Sequence, residues 1–343
     1  MAEQSRREAG QRLTVEEFGD LWTSGKLYEQ HGEVNKLRPK ATADDDEYRL
    51  KKYVYPKIGS RPVADIAESD IEHVLNEASR KQGPKWRAKL HVYQAMRRLF
   101  DLAIMPGRIR KDNPVSRYLR PGRTKPKLFG YLYPSELLAL LHCSDVPIAR
   151  RVLYALAVYT GLRKSSLYAL TWGGVDFENR TLTSLESKTD LPQMFEVHAS
   201  LSQLLAHWYE HRGRPKSDAP IVVVSDVERR GEREGETLRD DLTAAKVTRQ
   251  ALHERKANAS PMRFHDLRAT FVTWAMREGR GDGWISDRTG HLTPEMRARY
   301  ARAARTLLDL NYQPFPDVSA AIPELLEQRD NVISLGASKA LNA

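Results

Sequence analysis

Three short patterns beyond residue 160 of this 343-residue chain hold side chains suited to work on an anion. Gly161, Leu162 and Arg163 close a strongly apolar run. His265 and Arg268 stand one helical turn apart in the run His-Asp-Leu-Arg, and Gly290 and His291 come shortly before Tyr300. Spacing of i, i+3 puts the His265 imidazole and the Arg268 guanidinium on one helix face, where both can meet the same small anion. An arginine at a buried helix end serves equally as a clamp on backbone carbonyls, and a tyrosine in so helical a run as Met296 to Ala303 is ordinarily a packing residue. A fourth pattern, His207, Glu210 and His211, has a spacing with which some zinc peptidases hold metal. It lacks a third ligand, and Leu201, Leu204, Leu205 and Trp208 give the same helix an ordinary core stripe. No metal site is expected.

The elements that must position these residues follow from patterning. Thr14 before Val15, Glu16 and Glu17 is a helix N-cap signal, and Asp44, Asp45, Asp46 and Glu47 put negative charge on the first turn of another, solvated helix. Ser69 and Asp70 open a third, with Ile71, Val74 and Leu75 on one face. The longest predicted helix runs from about Lys85 to Ile104, its stripe being Trp86, Leu90, Tyr93, Met96, Phe100 and Ala103, with Arg87, Arg97 and Arg98 left off it. Residues 113–130 lose all periodicity and carry Pro114, Pro121, Gly122 and Pro126 among basic residues, the signature of an inter-domain linker. Helices resume at Pro134, with Ser135 as a cap and Ile148 to Thr160 apolar enough to be buried. Thr181 to Glu186 and Met194 to Val197 read as a hairpin, Leu201 to His211 as a helix, Ile221 to Val224 as a short buried strand. Helices are expected again over 238–256, 266–278 and 294–304. The fold class expected is mainly α with a small β-hairpin or sheet.

Charge narrows the partner. The formal net charge is +10. Residues 80–127 hold 15 Lys and Arg against 2 Asp, so this short stretch carries nearly the whole excess. Aromatic residues interleave it, which favours a nucleic-acid-facing surface over a merely solvated one. Lys85, Arg87, Lys89, Arg97, Arg98, Arg117, Arg120, Arg123, Lys125 and Lys127 are the candidates to meet it. The one cysteine, Cys143, excludes an internal disulfide and a cysteine-based zinc site, no apolar run nears the ~20 residues a membrane span needs, and the N-terminus has no secretory h-region. A cytoplasmic, nucleoid-associated protein without membrane partners is expected.

Taken together, Thr-Gly-Leu-Arg163 with Leu-Thr-Trp172 after it, Ser-Lys188-Thr on the hairpin turn, the run from His265 through Arg268 to Phe271, and the run from Gly290 and His291 to Tyr300 resemble the catalytic domain of tyrosine site-specific recombinases, the phage-integrase family. The order of four motifs across some 140 residues is a specific signal, and residues 36–75 are similar to the family's helical core-binding domain. The resemblance covers roughly residues 12–305 and implies a tail at 1–11, a core-binding domain at 12–112, a linker at 113–130, a catalytic domain at 131–305 and a C-terminal segment at 306–343. That last segment, rich in Leu and Ile, is expected to dock on a neighbouring protomer in a tetramer, folding back onto its own domain being the alternative.

The resemblance also implies roles. Tyr300 would attack a scissile phosphate in double-stranded DNA core sites to form a 3'-phosphotyrosine, Arg163 and Arg268 would grip the phosphate, and Lys188 would protonate the leaving 5'-oxygen. His265 would take the tyrosine proton or hold a phosphate oxygen, and His291 would donate another hydrogen bond to the phosphate. No cofactor is implied, and DNA-bending proteins are the accessory partners. A type IB topoisomerase and a DNA-binding protein that has lost activity are the competing functions. Ser166 and Gly174 stand where the family commonly has acidic residues, which bears on how Arg163 is oriented, and Ala269 stands where it often has His.

Overall fold

A computed structural model describes residues 13–31, 43–82, 86–105, 107–122, 129–184, 193–227, 234–256, 259–290 and 293–326. Lys85, Arg123, Lys125, Lys127, Lys188 and His291 lie outside the described residues. The chain divides into two compact units, Met1–Lys125 and Pro126–Ala343.

The N-terminal unit is helical: α1 (Val15–Thr23), α2 (Lys26–His31), α3 (Ala43–Arg49), α4 (Tyr55–Ile58), α5 (Glu68–Gln82) and α6 (Trp86–Ile104), with a π-helical stretch, Leu50–Val54, joining α3 to α4. Thr14 caps α1 in a reciprocal box with Glu17, whose carboxylate takes the Thr14 backbone N–H at 2.9 Å. Tyr93, Met96, Phe100 and Ala103 of the α6 stripe are buried against Val15, Phe18, Leu50 and Val54. The acidic start of α3 is less solvated than its composition suggests. Asp46 reaches Arg49 at 3.0 Å with its side chain mostly covered, and burial holds its carboxyl above the ordinary range, Arg49 opposing.

Residues 113–122 are not a free linker. Asn113 donates to the Arg97 carbonyl at 2.9 Å and to Asp101 at 2.7 Å, Arg97 donates to the Val115 carbonyl at 3.1 Å, and Val115 is buried in the helical core. Hydrogen bonding to α6 overrides the weak local pattern of the segment.

The C-terminal unit contains α7 (Pro134–His142), α8 (Ile148–Thr160), α9 (Lys164–Tyr168), β1 (Val175–Asp176), β2 (Thr181–Ser184), β3 (Gln193–Glu196), α10 (Ala199–His211), α11 (Val224–Val227), α12 (Glu234–Ala244), α13 (Gln250–His253), α14 (Asp266–Arg277), α15 (Asp282–Thr289) and α16 (Pro294–Asp309). The strands form one antiparallel sheet in the order β1-β2-β3, with Leu182 opposite Phe195. The hairpin is as expected, and β1 adds a strand to it. All of α8 after Ile148 is buried, with α14 and α10 packed against it.

Three expectations need correction. Tyr133, not Ser135, is the cap of α7, because Pro134 fits the first helical position. Ile221 and Val222 are buried but form no strand. Ladder pairing there stops at one bridge, Thr171 to Pro220, and α11 begins at Val224. The helix expected over 238–256 breaks after α12, where Lys246 takes a left-handed φ of 57° and the Val247 N–H returns to the Leu242 carbonyl at 2.8 Å.

The C-terminal segment departs most from expectation. Phe315, Val318, Ala321, Ile322 and Leu325 are buried in the core of their own unit. Phe315 meets Tyr159, Phe271 and Trp274 edge-on at 5.4–6.0 Å, Tyr159 donates to the Pro316 carbonyl, and Glu324 pairs with Arg151 at 2.7 Å. Through Leu326 the segment packs on its own unit, where α8 and α14 offer it an apolar trough and a buried arginine. Residues 327–343 lie outside the described residues.

Candidate active site

Arg163 is placed by the end of α8. Gly161 closes that helix at φ 65°, the left-handed region, and a Cβ there would lie 2.3 Å from the Phe271 ring, so glycine is needed for both conformation and space. Two residues later Arg163 caps α9 with its side chain exposed. His265 and Arg268 come from the opening of α14, His265 as its exposed cap and Arg268 half-buried one turn on. The Arg268 Nη1 donates to the Gly161 carbonyl at 2.5 Å. It is therefore the carbonyl clamp that its position allowed, and the clamp seats its charge beside Arg163. Gly290, at φ 71°, ends α15, and a Cβ on it would stand 3.4 Å from the Arg163 guanidinium. The chain just before His291 thus borders the same place. Tyr300 lies on α16, half-buried.

Electrostatics join these groups. Burial lowers the Arg268 pKa to about 10, the charge of Arg163 pushing the same way and Tyr300 opposing. Burial also lowers the His265 pKa, with Arg268 the next cause and Arg163 a smaller one, so its imidazole is biased toward the neutral form that can accept a proton. Burial raises the Tyr300 phenol, while Arg268, Arg299 and Arg263 pull it down. Of the six expected residues, Arg163, His265, Arg268 and Tyr300 are described, and the structure brings them together.

Two supporting residues escape a sequence reading. Arg263, two positions before His265, forms a bidentate pair with the buried Asp266, its Nη2 and Nε at 2.8 and 3.1 Å, and its backbone N–H bonds the same carboxylate at 2.8 Å. This fixes the turn that aims His265 and Arg268. Its only signal is the i, i+3 spacing to Asp266. Phe129 packs on Tyr300 with ring centroids 4.8 Å apart and has no local signal at all. Gly174, where an acidic residue was the expected pattern, has no room for one: a Cβ there would stand 2.6 Å from the Thr183 carbonyl oxygen. Ser166 is buried on α9.

The metal-like pattern on α10 belongs to packing. The His207 ring faces the Ser319 carbonyl at 3.1 Å, and His211 stacks on Trp208. Among the described residues no group of three His, Cys, Asp or Glu could hold a metal ion, and no helix is long and apolar enough to cross a membrane.

The basic candidates of the N-terminal unit divide. Arg87, Arg117 and Arg120 are exposed, as is Tyr118 at 97% between the last two. Lys89 is half-covered. Arg97 is engaged with the Val115 carbonyl, and Arg98 stands 5.6 Å from the Trp22 ring centroid with burial lowering its pKa.

A sequence profile described as Phage integrase family matches residues 130–306, slightly more than half of the chain, and one described as Phage integrase central domain matches residues 28–117. The chain belongs to the phage integrase family. Among family members it is similar to the integrase of Salmonella phage P22, 27% identical over 188 residues that span 52% of this chain and 45% of the relative. The chain spans about half the length of the curated relatives it matches. Its fold is that of a lambda integrase dimer bound to a COC' core site (TM-score 0.62, 20% identity, 88% of this chain and 81% of that one). It is also that of the Tn1549 transposon integrase in complex with transposon right end DNA (TM-score 0.62, 19% identity, 87% and 99%). This integrase-family chain thus carries the family's two successive domains, and the boundary between its compact units falls between the two matched regions.

Proposed function

We propose that this chain is a site-specific DNA recombinase that cuts and rejoins duplex DNA through a 3'-phosphotyrosine on Tyr300, for the integration or excision of a mobile element. The observation that carries the reading is the meeting of Arg163 and Arg268 without a carboxylate partner among the described residues, next to a half-buried tyrosine. Two like charges held together, one of them partly desolvated, make a seat for an anion, and a phosphodiester has the planar pair of oxygens that guanidinium forks match. The Tyr300 oxygen attacks phosphorus as the bond to the 5'-oxygen breaks. The phenolic proton passes to neutral His265, and Lys188 returns one to the departing oxygen. His291 adds a hydrogen bond to the phosphate. The bond energy stays in the adduct, so a second 5'-hydroxyl reverses the step and rejoins the strand.

Duplex DNA is the partner, met by the exposed cations of the N-terminal unit, with a tetramer of this chain as the assembly and the bacterial nucleoid as the place of action. The test is covalent capture. The protein is incubated with a pool of nicked duplexes of random sequence, without added magnesium, and SDS-resistant, protease-sensitive complexes are sequenced. A shared core sequence in the captured DNA is expected. Tyr300→Phe should bind DNA and capture none; capture that survives this substitution refutes the assignment, and capture without sequence preference marks a topoisomerase.

A further inference from the structure

The tyrosine assigned the attack is held from outside its own helix. Phe129 lays its ring against Tyr300 at 4.8 Å and a 58° tilt, and the Arg299 guanidinium lies 5.3 Å from the Phe129 centroid. Phe129 heads a ladder of rings. Tyr131 follows at 6.1 Å, Tyr133 at 5.9 Å, and Tyr312, just past the end of α16, stacks on Tyr133 at 4.7 Å. Segment 129–133 therefore accompanies α16 from its nucleophile to its exit. The segment is itself pinned: the Leu132 N–H bonds the Thr270 hydroxyl at 3.1 Å and its carbonyl takes the Trp274 indole N–H at 2.9 Å, both on α14, while Arg249 bonds the Tyr131 carbonyl and covers the Tyr133 ring at 4.0 Å.

A tyrosine with one face against a fixed ring has fewer accessible rotamers than one in solvent, and a misplacement of about 1 Å at a reacting atom can cost on the order of 10²-fold in rate. We propose that Phe129 is a positioning residue for strand transfer: its ring holds the Tyr300 phenol toward the Arg163 and Arg268 site, so that the entry segment of the unit, as well as α16, sets the nucleophile's reach. The inference rests on Tyr300 being the nucleophile. Phe129 meets no substrate and moves no proton. The charged groups that face the phenol are Arg268 and Asp266 from the start of α14, Arg263 from the turn before it and Arg299 from α16; Phe129 supplies apolar cover. Removing that cover admits water and lowers the pH at which the phenol ionises.

The test compares the protein with Phe129→Ala and Phe129→Tyr in two measurements. One is single-turnover adduct formation on a nicked duplex captured by the parent protein, across pH and at saturating DNA. The other is the titration of Tyr300 by NMR with tyrosine labelled at Cζ, its signal identified by its loss in Tyr300→Phe. Phe129→Ala should slow adduct formation by about tenfold, leave DNA affinity unchanged and move the Tyr300 titration to lower pH. Phe129→Tyr should restore both. An unchanged rate and titration overturn the proposal, as does a loss that tracks DNA affinity or melting temperature and is not restored by Phe129→Tyr. If the parent protein forms no adduct yet its Tyr300 titration moves as described, the nucleophile assignment fails while the hold of Phe129 on Tyr300 is upheld.

Discussion

Helix α8 carries arginine at both ends, and the two ends treat the charge in opposite ways. In its first turn Arg150, 5% exposed, makes a bidentate pair with Asp241 at 2.9 Å, and Tyr154 donates to the same carboxylate at 2.7 Å. Arg151, 1% exposed, pairs with Glu324 and bonds the Leu141 carbonyl at 3.0 Å. Past the last turn, Arg163 lies beside Arg268, which donates to the Gly161 carbonyl, and among the described residues neither pairs with a carboxylate. A buried cation matched by an anion is architecture. A half-buried one left unmatched beside an exposed arginine is a request for an anion that must come from elsewhere.

The largest effect should appear at the unmatched end. Arg268→Lys keeps the charge but loses the fork, and adduct formation on a captured duplex should fall by about 10²-fold or more, with thermal stability little changed. Undiminished cutting would show that the charge, not the fork, is what the site uses. At the matched end Arg150→Ala leaves the buried Asp241 carboxylate without its cation, the Tyr154 hydroxyl staying on it, and denaturant unfolding should show a loss of about 3–5 kcal/mol. Replacing the two together by apolar residues of similar volume should recover most of that loss; if it does not, the pair has a role beyond packing.

A smaller effect separates the ends by pH. The Arg151 hydrogen bond holds the Glu324 carboxyl below the usual range, burial opposing it. A depressed carboxylate contributes stability that is full above its unfolded pKa and is lost as pH falls through the folded one. The C-terminal segment should therefore become protease-sensitive in acid, below about pH 4, and Glu324→Gln should abolish that dependence. Asp46 in the N-terminal unit has the opposite sign: its raised carboxyl contributes most below its ordinary pKa and loses that contribution as pH rises.

The smallest effect belongs to single exposed cations. Arg117→Ala or Arg120→Ala should each reduce the slope of log affinity against log salt by about 1, without changing the preferred sequence. An unchanged slope would show that these side chains face solvent in the complex.

Much of the site was legible because its residues announce themselves locally. Arg163 follows a glycine that a helix end demands, and His265 and Arg268 share a helix face by spacing alone. The long stripe of α6 and the hairpin were equally plain, since both depend on periodicity over a few residues. What stayed hidden depends on contacts across the chain. Nothing near Glu324 points to Arg151, nothing near Phe129 points to Tyr300, and the apolar residues at 315–325 are as suited to a neighbour's surface as to their own. The break after α12 hides for another reason: a single lysine in the left-handed region has no sequence signal when glycine is absent.

Trp274 binds the beginning of the C-terminal unit to its end. Its indole N–H is taken by Leu132 and its ring meets Phe315 at a right angle, 5.5 Å away. A chain emerging from the ribosome makes Leu132 more than 180 residues before Phe315, so the unit cannot close around this indole until that whole stretch has been made. Until then the trough along α8 and α14 stands open with its apolar wall in water. A nascent copy of this chain exposes that surface until Phe315 arrives, and a chain stopped before Phe315 leaves the Trp274 ring without the cover it takes at 5.5 Å.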